Sequence, residues 1–480
     1  MRGYLAIMMA LAGGAAMAQD LDALDIGGRL EPFVDHYLIE TMQGVSLQMA
    51  QPVAREIVLK FDRPWEGRHC GYITIIWDDP AYRLYYRGLG ADGGDGTDAE
   101  FTCYAESVDG IHFTKPSLGL FEFGGSKDNN IVLAKAAPFS HNFAPFLDTR
   151  PGVPADERYK ALAGIEKSGL CLFVSPDGFH WRKFREEPVI TKGAFDSQNV
   201  AFWSEPENGY VCYFRTWVEG GYSGYRTISR TTSPDLLNWT PPEPMTFGDA
   251  PMEHLYVNQT SPYFRAPHVY ISLAARFMPG RRVVPAEKAA SIGATPDSTA
   301  DCSDTVLMTS RGGLRYDRTF MESFVRPGIG LNHWVTRTNY AANGVVPTGP
   351  AEMSFYIERD YGLPTACLQR MTIRTDGFAS IHAPFAGGEC RTKPLRFAGK
   401  RLFVNYGTSS AGGIVVEIQN PDGTPIPGYA RTDAIELVGD EIARPVAWKE
   451  KADVAELAGK SVRLAFVMKD ADLYALRFGE

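Results

Sequence analysis

Four carboxylates, Glu66, Asp196, Glu253 and Glu352, each stand at or just ahead of a strand-like apolar segment. Two carboxyl groups that face one ligand can divide general acid–base work. Burial and like-charge crowding push their pKa values apart, so one stays protonated as acid while the other is ionised as base or nucleophile. His141 precedes another such segment and adds an imidazole. Trp65, Trp203 and Tyr256 offer faces on which an apolar ring can stack. Asn142, Gln198 and Asn199 offer amides that can read hydroxyl groups, and Arg68, His333 and Arg337 add polar or cationic contacts. A plainer role is open to each acid as well, that of capping a strand or pairing with an arginine.

The elements that must position these residues announce themselves through a repeat. Ser107-Val108-Asp109-Gly110-Ile111-His112-Phe113 recurs as Ser175-Pro176-Asp177-Gly178-Phe179-His180-Trp181 and as Ser233-Pro234-Asp235-Leu236-Leu237-Asn238-Trp239. Fainter copies begin at Ser310 and Arg374. The motif is a turn: Ser and Asp cap backbone amides, Gly takes a positive φ, and the closing aromatic anchors the turn between sheets. Strand-like segments precede each copy, among them Tyr72 to Trp77, Phe143 to Leu147 and Val200 to Trp203, and helical periodicity is almost absent. A repeat of this length made of strands predicts an all-β chain, a five-bladed β-propeller over residues 19–385. The pattern changes after residue 385, where alternating segments predict a small β-sandwich over 386–480. In a propeller the innermost strand of each blade lines a central funnel, which is where the acids are expected to meet.

Net charge is −9, without the basic footprint of a nucleic-acid binder. Arg2, the apolar stretch Leu5 to Ala16 and Ala16-Met17-Ala18 read as a signal peptide over 1–18, predicting a periplasmic or secreted protein. No later run is long enough to predict membrane insertion. None of the seven cysteines forms a C-x-x-C pair, and neither a metal nor a cofactor is expected. Cys103 and Cys171 read as small core residues, and Cys367 with Cys390 as the first candidate for a bridge. His69 and His254 read as satisfied polar histidines, and Asp148 as a turn residue. Gly93 to Gly96 reads as a blade loop, lacking the Lys-Ser/Thr of a phosphate loop. Arg281-Arg282 reads as a solvated loop, with contact to a sulfated or uronic group as the alternative.

The Ser-Pro-Asp-Gly-Phe-His-Trp type of repeat, the inner strand Asn142 to Leu147, the opening Phe33 to Ile39 and a trailing sandwich together resemble the five-bladed glycoside hydrolases of families 32 and 43. The resemblance spans roughly residues 30 to 470. It implies cleavage of a glycosidic bond, with a base or nucleophile on blade one, an acid on blade three and an orienting aspartate on blade two. Those roles fall to Glu66 on blade one and Asp196 on blade three; His141-Asn142-Phe143 stands where the Arg-Asp-Pro motif of family 32 would. The expectation is an exo-acting hydrolase of a plant or algal polysaccharide, its acid Asp196 or Glu253, its pocket shaped by Glu352 and His141. Two alternatives stay open. One is a polysaccharide lyase using His141, His254 or Tyr256 as base, with Arg337 neutralising a uronate. The other is a glycan-binding propeller without catalysis, whose acids would all be paired to arginines. Oligomeric state is left open.

Overall fold

The repeated motif folds as its chemistry predicts. Ser107 Oγ accepts the Gly110 amide at 3.0 Å, and Asp109 Oδ1 accepts those of Ile111 and His112 at 2.8 and 2.9 Å. The second copy repeats this, with Gly178 N to Ser175 Oγ at 2.9 Å and Phe179 N to Asp177 Oδ1 at 2.9 Å. Gly110 and Gly178 have φ of 72° and 81°. Leu236 holds the same left-handed conformation without being glycine, its side chain buried in the blade core. Each copy sits at the end of a blade's third strand, so the repeat counts blades.

The structure is a computed structural model that describes residues 23–90, 93–449 and 451–480. The signal peptide expected at 1–18 lies outside the described residues. The chain divides into two compact units, residues 51–373 and a second containing 23–50 with 374–480. The first is a five-bladed β-propeller. Blade one is Gly71–Asp78, Ala81–Leu89, Glu100–Ser107 and Ile131–Leu133. Blade two is Ala144–Leu147, Tyr159–Ala163, Cys171–Ser175 and Arg182–Lys183, and blade three Val200–Ser204, Gly209–Trp217, Arg226–Ser233 and Glu243–Pro244. Blade four runs from Thr260–Tyr263 through Ala266–Met278 and Cys302–Ser310 to Ser323–Val325, with His254–Leu255 also paired to its second strand. Blade five joins Val346–Pro347, Glu352–Arg359 and Cys367–Arg374 to Val53–Lys60 from the other end of the chain. That exchange closes the ring, and it explains the faint fifth repeat: after Arg374 the chain leaves the blade, whose outer strand is supplied from elsewhere.

The axis is filled by buried amides. Gln198 Nε2 donates to Thr74 Oγ1 at 2.7 Å, and Gln259 Nε2 donates to Gln198 Oε1 at 2.8 Å and to the Ala341 carbonyl at 2.7 Å. Inner-strand residues of blades one, three, four and five are thereby tied together.

The second unit is all-β. Its eight-stranded sheet is built on two long strands, Arg401–Gln419 and Arg463–Gly479, paired from Arg401↔Gly479 to Gln419↔Arg463 with a register shift between Thr408 and Gly413. Alternate side chains, Leu402, Val404 and Tyr406, then Ile414, Val416 and Ile418, form its core. Ser46–Met49 pairs with Ala379–Ala383 in this sheet, so residues 23–50 and 374–385 belong here and not with the propeller. The expected boundary at 385 is corrected accordingly. All seven cysteines are free and buried, which removes the Cys367–Cys390 bridge and leaves Cys103 and Cys171 in the core.

Candidate active site in the propeller funnel

In an antiparallel blade the start of the inner strand lies beside the end of the second strand. Gly71 faces Arg87 in blade one, and Ala341 faces Ile357 in blade five. Two sets of residues therefore converge on the funnel. Tyr72, His141, Asp196, Tyr256 and Arg337 come from the approaches to the inner strands of blades one to five. Arg87, Arg215 and Glu358 come from the ends of second strands in blades one, three and five. A cavity of about 300 Å³ is lined by Tyr72, Arg87, Asp95, His141, Asp196, Tyr256 and Arg337 among others. A narrow recess shares Tyr72, Arg87, Tyr256 and Arg337 with it and adds Tyr340, Glu358 and Tyr361. Tyr72 and Arg337 sit at φ of 51° and 58°, left-handed conformations that cost a non-glycine residue roughly 1–2 kcal/mol each. Such strain is held in place where it aims side chains at a site.

Charge in the funnel is arranged around guanidinium groups. Arg87 is 4% exposed; its Nη2 donates to the Tyr361 hydroxyl and the His69 carbonyl, both at 2.9 Å, and its Nη1 lies 3.5 Å from Glu100 Oε1. His141 Nδ1 donates to the same Glu100 oxygen at 2.8 Å. Asp196 forms an ion pair with Arg215, whose guanidinium carbon stands 4.4 Å over the Tyr256 ring. Arg337 makes no ion pair or side-chain hydrogen bond among the described residues. Glu358 is 4% exposed and, among the described residues, forms no ion pair and has no hydrogen-bond partner at Oε1. Burial pushes its carboxyl well above the usual carboxylate range, against the opposing pull of Arg87 and Arg337. Burial likewise raises the phenols of Tyr72 and Tyr340, which keeps both hydroxyls protonated at neutral pH.

Asp95, Glu100 and His141 bring ligand atoms within 4.8 Å of one another, a spacing that suits a cation. Arg87 already stands there, 3.9 Å from Asp95 Oδ1 and 3.2 Å from His141 Nδ1. The cation this cluster is built around is a guanidinium, and its positive charge opposes the approach of a metal ion.

No known family profile matches the chain, and no curated protein matches its sequence. Solved structures resemble it at low identity. An N-acetylgalactosamine deacetylase from F. plautii, in complex with blood group B trisaccharide, is 12% identical over 69% of this chain and 96% of its own, with a TM-score of 0.43. A family 43 arabinoxylan arabinofuranohydrolase from Bacillus subtilis, in complex with cellotetraose, is 12% identical over 88% of this chain and 99% of its own, at 0.40. A thermostable family 43 glycoside hydrolase is 10% identical over 65% and 92%, at 0.42. The chemistry of this chain is read from its own side chains.

Of the residues expected at the site, the funnel gathers Asp196, His141, Tyr256 and Arg337. The others lie elsewhere. Glu66 is fully buried behind blade one, accepting from the Tyr86 hydroxyl at 2.6 Å and Lys115 Nζ at 2.7 Å. Trp65 donates to Asn130 Oδ1 at 2.7 Å and packs on Phe123, and Trp203 packs on Tyr210 in a blade core. Glu253 is clamped by Arg276 at 2.9 Å and Arg318 at 2.5 Å, and Glu352 by Arg370 at 2.8 Å on the outer part of blade five. His333 pairs with Asp360 at 3.1 Å, and Arg68 is exposed, its carbonyl accepting the Gly362 amide at 2.8 Å. Asn142, fully buried, ties blade two to blade three through the carbonyls of Gly164 at 2.8 Å and Ser197 at 3.1 Å. Gln198 belongs to the axial plug, and Asn199 donates to the Ser197 carbonyl at 3.0 Å. All three amides are engaged by backbone carbonyls, and Asn142 and Gln198 join one blade to another.

Sequence reading passed over Arg87, Glu100, Arg215, Tyr340, Glu358 and Tyr361. The signal was available in strand register. An Arg or Glu closing the second strand of a blade lies beside the first residues of the inner strand, and Tyr86-Arg87, Phe214-Arg215 and Ile357-Glu358 share that pattern.

Proposed function

We propose that the protein is an exported glycoside hydrolase acting from the end of a plant or algal polysaccharide, with Glu358 as general acid and Asp196 as base or nucleophile. One observation carries this reading. A carboxyl group kept protonated by burial and a carboxylate held by an arginine line cavities that share four residues. Glycosidic cleavage needs that division, a proton for the leaving oxygen and a charged group for the sugar ring. Tyr72 and Tyr256 supply ring faces, and Arg87, Arg215 and Arg337 supply donors. The axial plug of Gln198 and Gln259 makes the funnel a dead end, which suits a chain terminus. Export rests on the leader-like residues 1–18.

Each of the four acids first expected at the site is ion-paired, the arrangement of a propeller that binds without catalysis. Glu358 breaks that pattern. Of the bases a lyase would use, His254 lines a different cavity, while His141 and Tyr256 line the funnel, so the product itself separates the two reactions. The test is a screen of the purified protein against plant and algal glycans for new reducing ends, repeated with Glu358→Gln and Asp196→Asn. Turnover lost in both variants supports the assignment. Turnover kept in both, or a product absorbing in the ultraviolet from a new double bond, overturns it.

A further inference from the structure

We infer that a second, larger cavity on the propeller is a binding site for a sugar unit carrying a carboxylate or a sulfate, placed to hold the glycan beyond the bond that is cut. This rests on the reading of the protein as a glycan hydrolase and adds the charge of its substrate. The cavity, about 820 Å³, gathers residues at the ends of blade four strands and from the connection into blade five. It is larger than the funnel, yet its acids are neutralised within it. Glu253 is held by Arg276 and Arg318, and Asp304 accepts two hydrogen bonds from Arg276 at 2.9 and 2.6 Å. Catalytic acid–base work therefore has no free carboxyl there.

Two positive charges remain. Arg281 and Arg326 both line the cavity, both are exposed, and neither side chain makes an ion pair or hydrogen bond among the described residues. A guanidinium fork matches the planar geometry of a carboxylate and the oxygens of a sulfate. Beside them are faces for a sugar ring. Tyr225 is 43% exposed and Met252 42% exposed, and the Trp334 indole is fixed by its N–H donating to the Gly328 carbonyl at 3.1 Å. A neutral glycan would use the aromatic faces and leave two unmatched guanidinium groups without purpose.

The cavity neighbours the funnel: Tyr256, which lines the funnel, packs on Phe277, which lines the cavity, with ring centroids 5.5 Å apart. The Arg226 guanidinium carbon stands 5.3 Å over the ring of Tyr256, which lines the funnel, and 4.9 Å over the ring of Phe277, which lines the cavity. The two sites are therefore neighbours, close enough for one glycan that passes over these side chains to touch both.

The test is calorimetric binding of three hexasaccharides, a polyuronate, a sulfated galactan and a neutral β-glucan, to the whole protein and to the double variant Arg281→Ala with Arg326→Ala. An anionic hexasaccharide should bind the wild type with an affinity that falls with salt. Its Kd should rise at least tenfold in the double variant while the thermal midpoint holds. Which of the two anionic probes binds separates carboxylate from sulfate. Should the midpoint drop, Arg326→Gln alone, read by the same titration, takes its place. Equal binding by wild type and variant, tighter binding of the neutral glucan, or no binding of either anionic probe overturns the site. Anionic binding with the expected loss, but no turnover of any glycan, leaves this site standing and removes the hydrolase reading instead.

Discussion

The carboxyl of Glu358 in blade five lies against the backbone of Gly71 in blade one, so near that a Cβ at residue 71 would stand 3.3 Å from Glu358 Oε2. Glycine there lets a buried acid cross the blade junction. Gly71→Ala tightens that contact and forces the carboxyl to shift by a few tenths of an ångström, while the Tyr361 ring, 3.6 Å from the added methyl, stays in ordinary contact. Misplacement of a reacting group by 1 Å costs on the order of 100-fold, so this smaller shift should lower kcat by about 3- to 10-fold. The fold should survive, and steady-state kinetics beside a thermal melt checks both halves.

The pH dependence follows from the raised carboxyl. An acid must be protonated to work, so turnover should fall as pH climbs through the elevated value of Glu358, and the pH–rate profile of Glu358→Gln should lack that limb. Stability has a definite sign. A carboxyl favoured in its neutral form by the fold contributes fully below the ordinary carboxylate range, and that contribution is lost as pH rises through the folded value. Glu358→Gln should therefore gain stability over wild type at pH 9 more than at pH 5. Thermal midpoints at the two values decide it, and a larger gain at pH 5 would contradict the assignment.

Glu66 and Glu352 should matter for folding rather than for chemistry. Removing the buried Glu66 carboxylate leaves Lys115 with the Lys60 carbonyl at 2.6 Å and, as its remaining counter-charge, Asp62, 3.1 Å away and largely in solvent, so Glu66→Gln should cost about 3 kcal/mol of stability. Glu352 is a third exposed, and breaking its pair with Arg370 should cost about 1 kcal/mol or less. Chemical denaturation measures both, and kcat of the folded variants should stay within about twofold of wild type, a change worth only about 0.4 kcal/mol.

The blade turns carry an acid-sensitive part of the stability. Hydrogen bonds from the His180 backbone and side chain and from the Phe179 amide hold the Asp177 carboxyl at about 2, outweighing burial, and Asp235 is likewise near 2. Their contribution is present above the ordinary aspartate value and fades as pH falls toward 2. Asp177→Asn should cost about 1 kcal/mol at pH 7, a figure reduced because the side chain is 40% exposed, and clearly less near pH 2. Gly178→Ala should cost more, about 2–4 kcal/mol, since its Cβ meets the Tyr85 hydroxyl at a φ of 81°.

Blade number is legible in the sequence because one physical device, a serine and an aspartate capping a turn, closes the third strands of blades one to three and leaves recognisable traces in blades four and five. Inner-strand approaches are legible too, and Asp196, His141, Tyr256 and Arg337 were found through them. That a strand ahead of blade one closes the ring is open to a sequence reading, beside a place in blade one itself, and the pairing of Val53–Lys60 with Cys367–Arg374 decides between the two. The use of a polar side chain is not legible. Asn142 and Gln198 stand where ligand-reading amides would stand, yet they bond backbone carbonyls of neighbouring blades. Glu358 escaped notice because it lies at the far end of a second strand, among Tyr356, Ile357 and Arg359, and only antiparallel pairing returns it to the funnel.

The most direct measurement compares Glu358→Gln with wild type on two glycosides of the same sugar, one with an alkyl leaving group and one with a nitrophenyl group. A general acid is needed when the departing oxygen is basic and is dispensable when it is not. Glu358 acting as that acid predicts a loss of about 1000-fold or more on the alkyl glycoside and of about tenfold or less on the nitrophenyl one. Equal losses on both substrates, or turnover near that of wild type on the alkyl glycoside, would contradict the account.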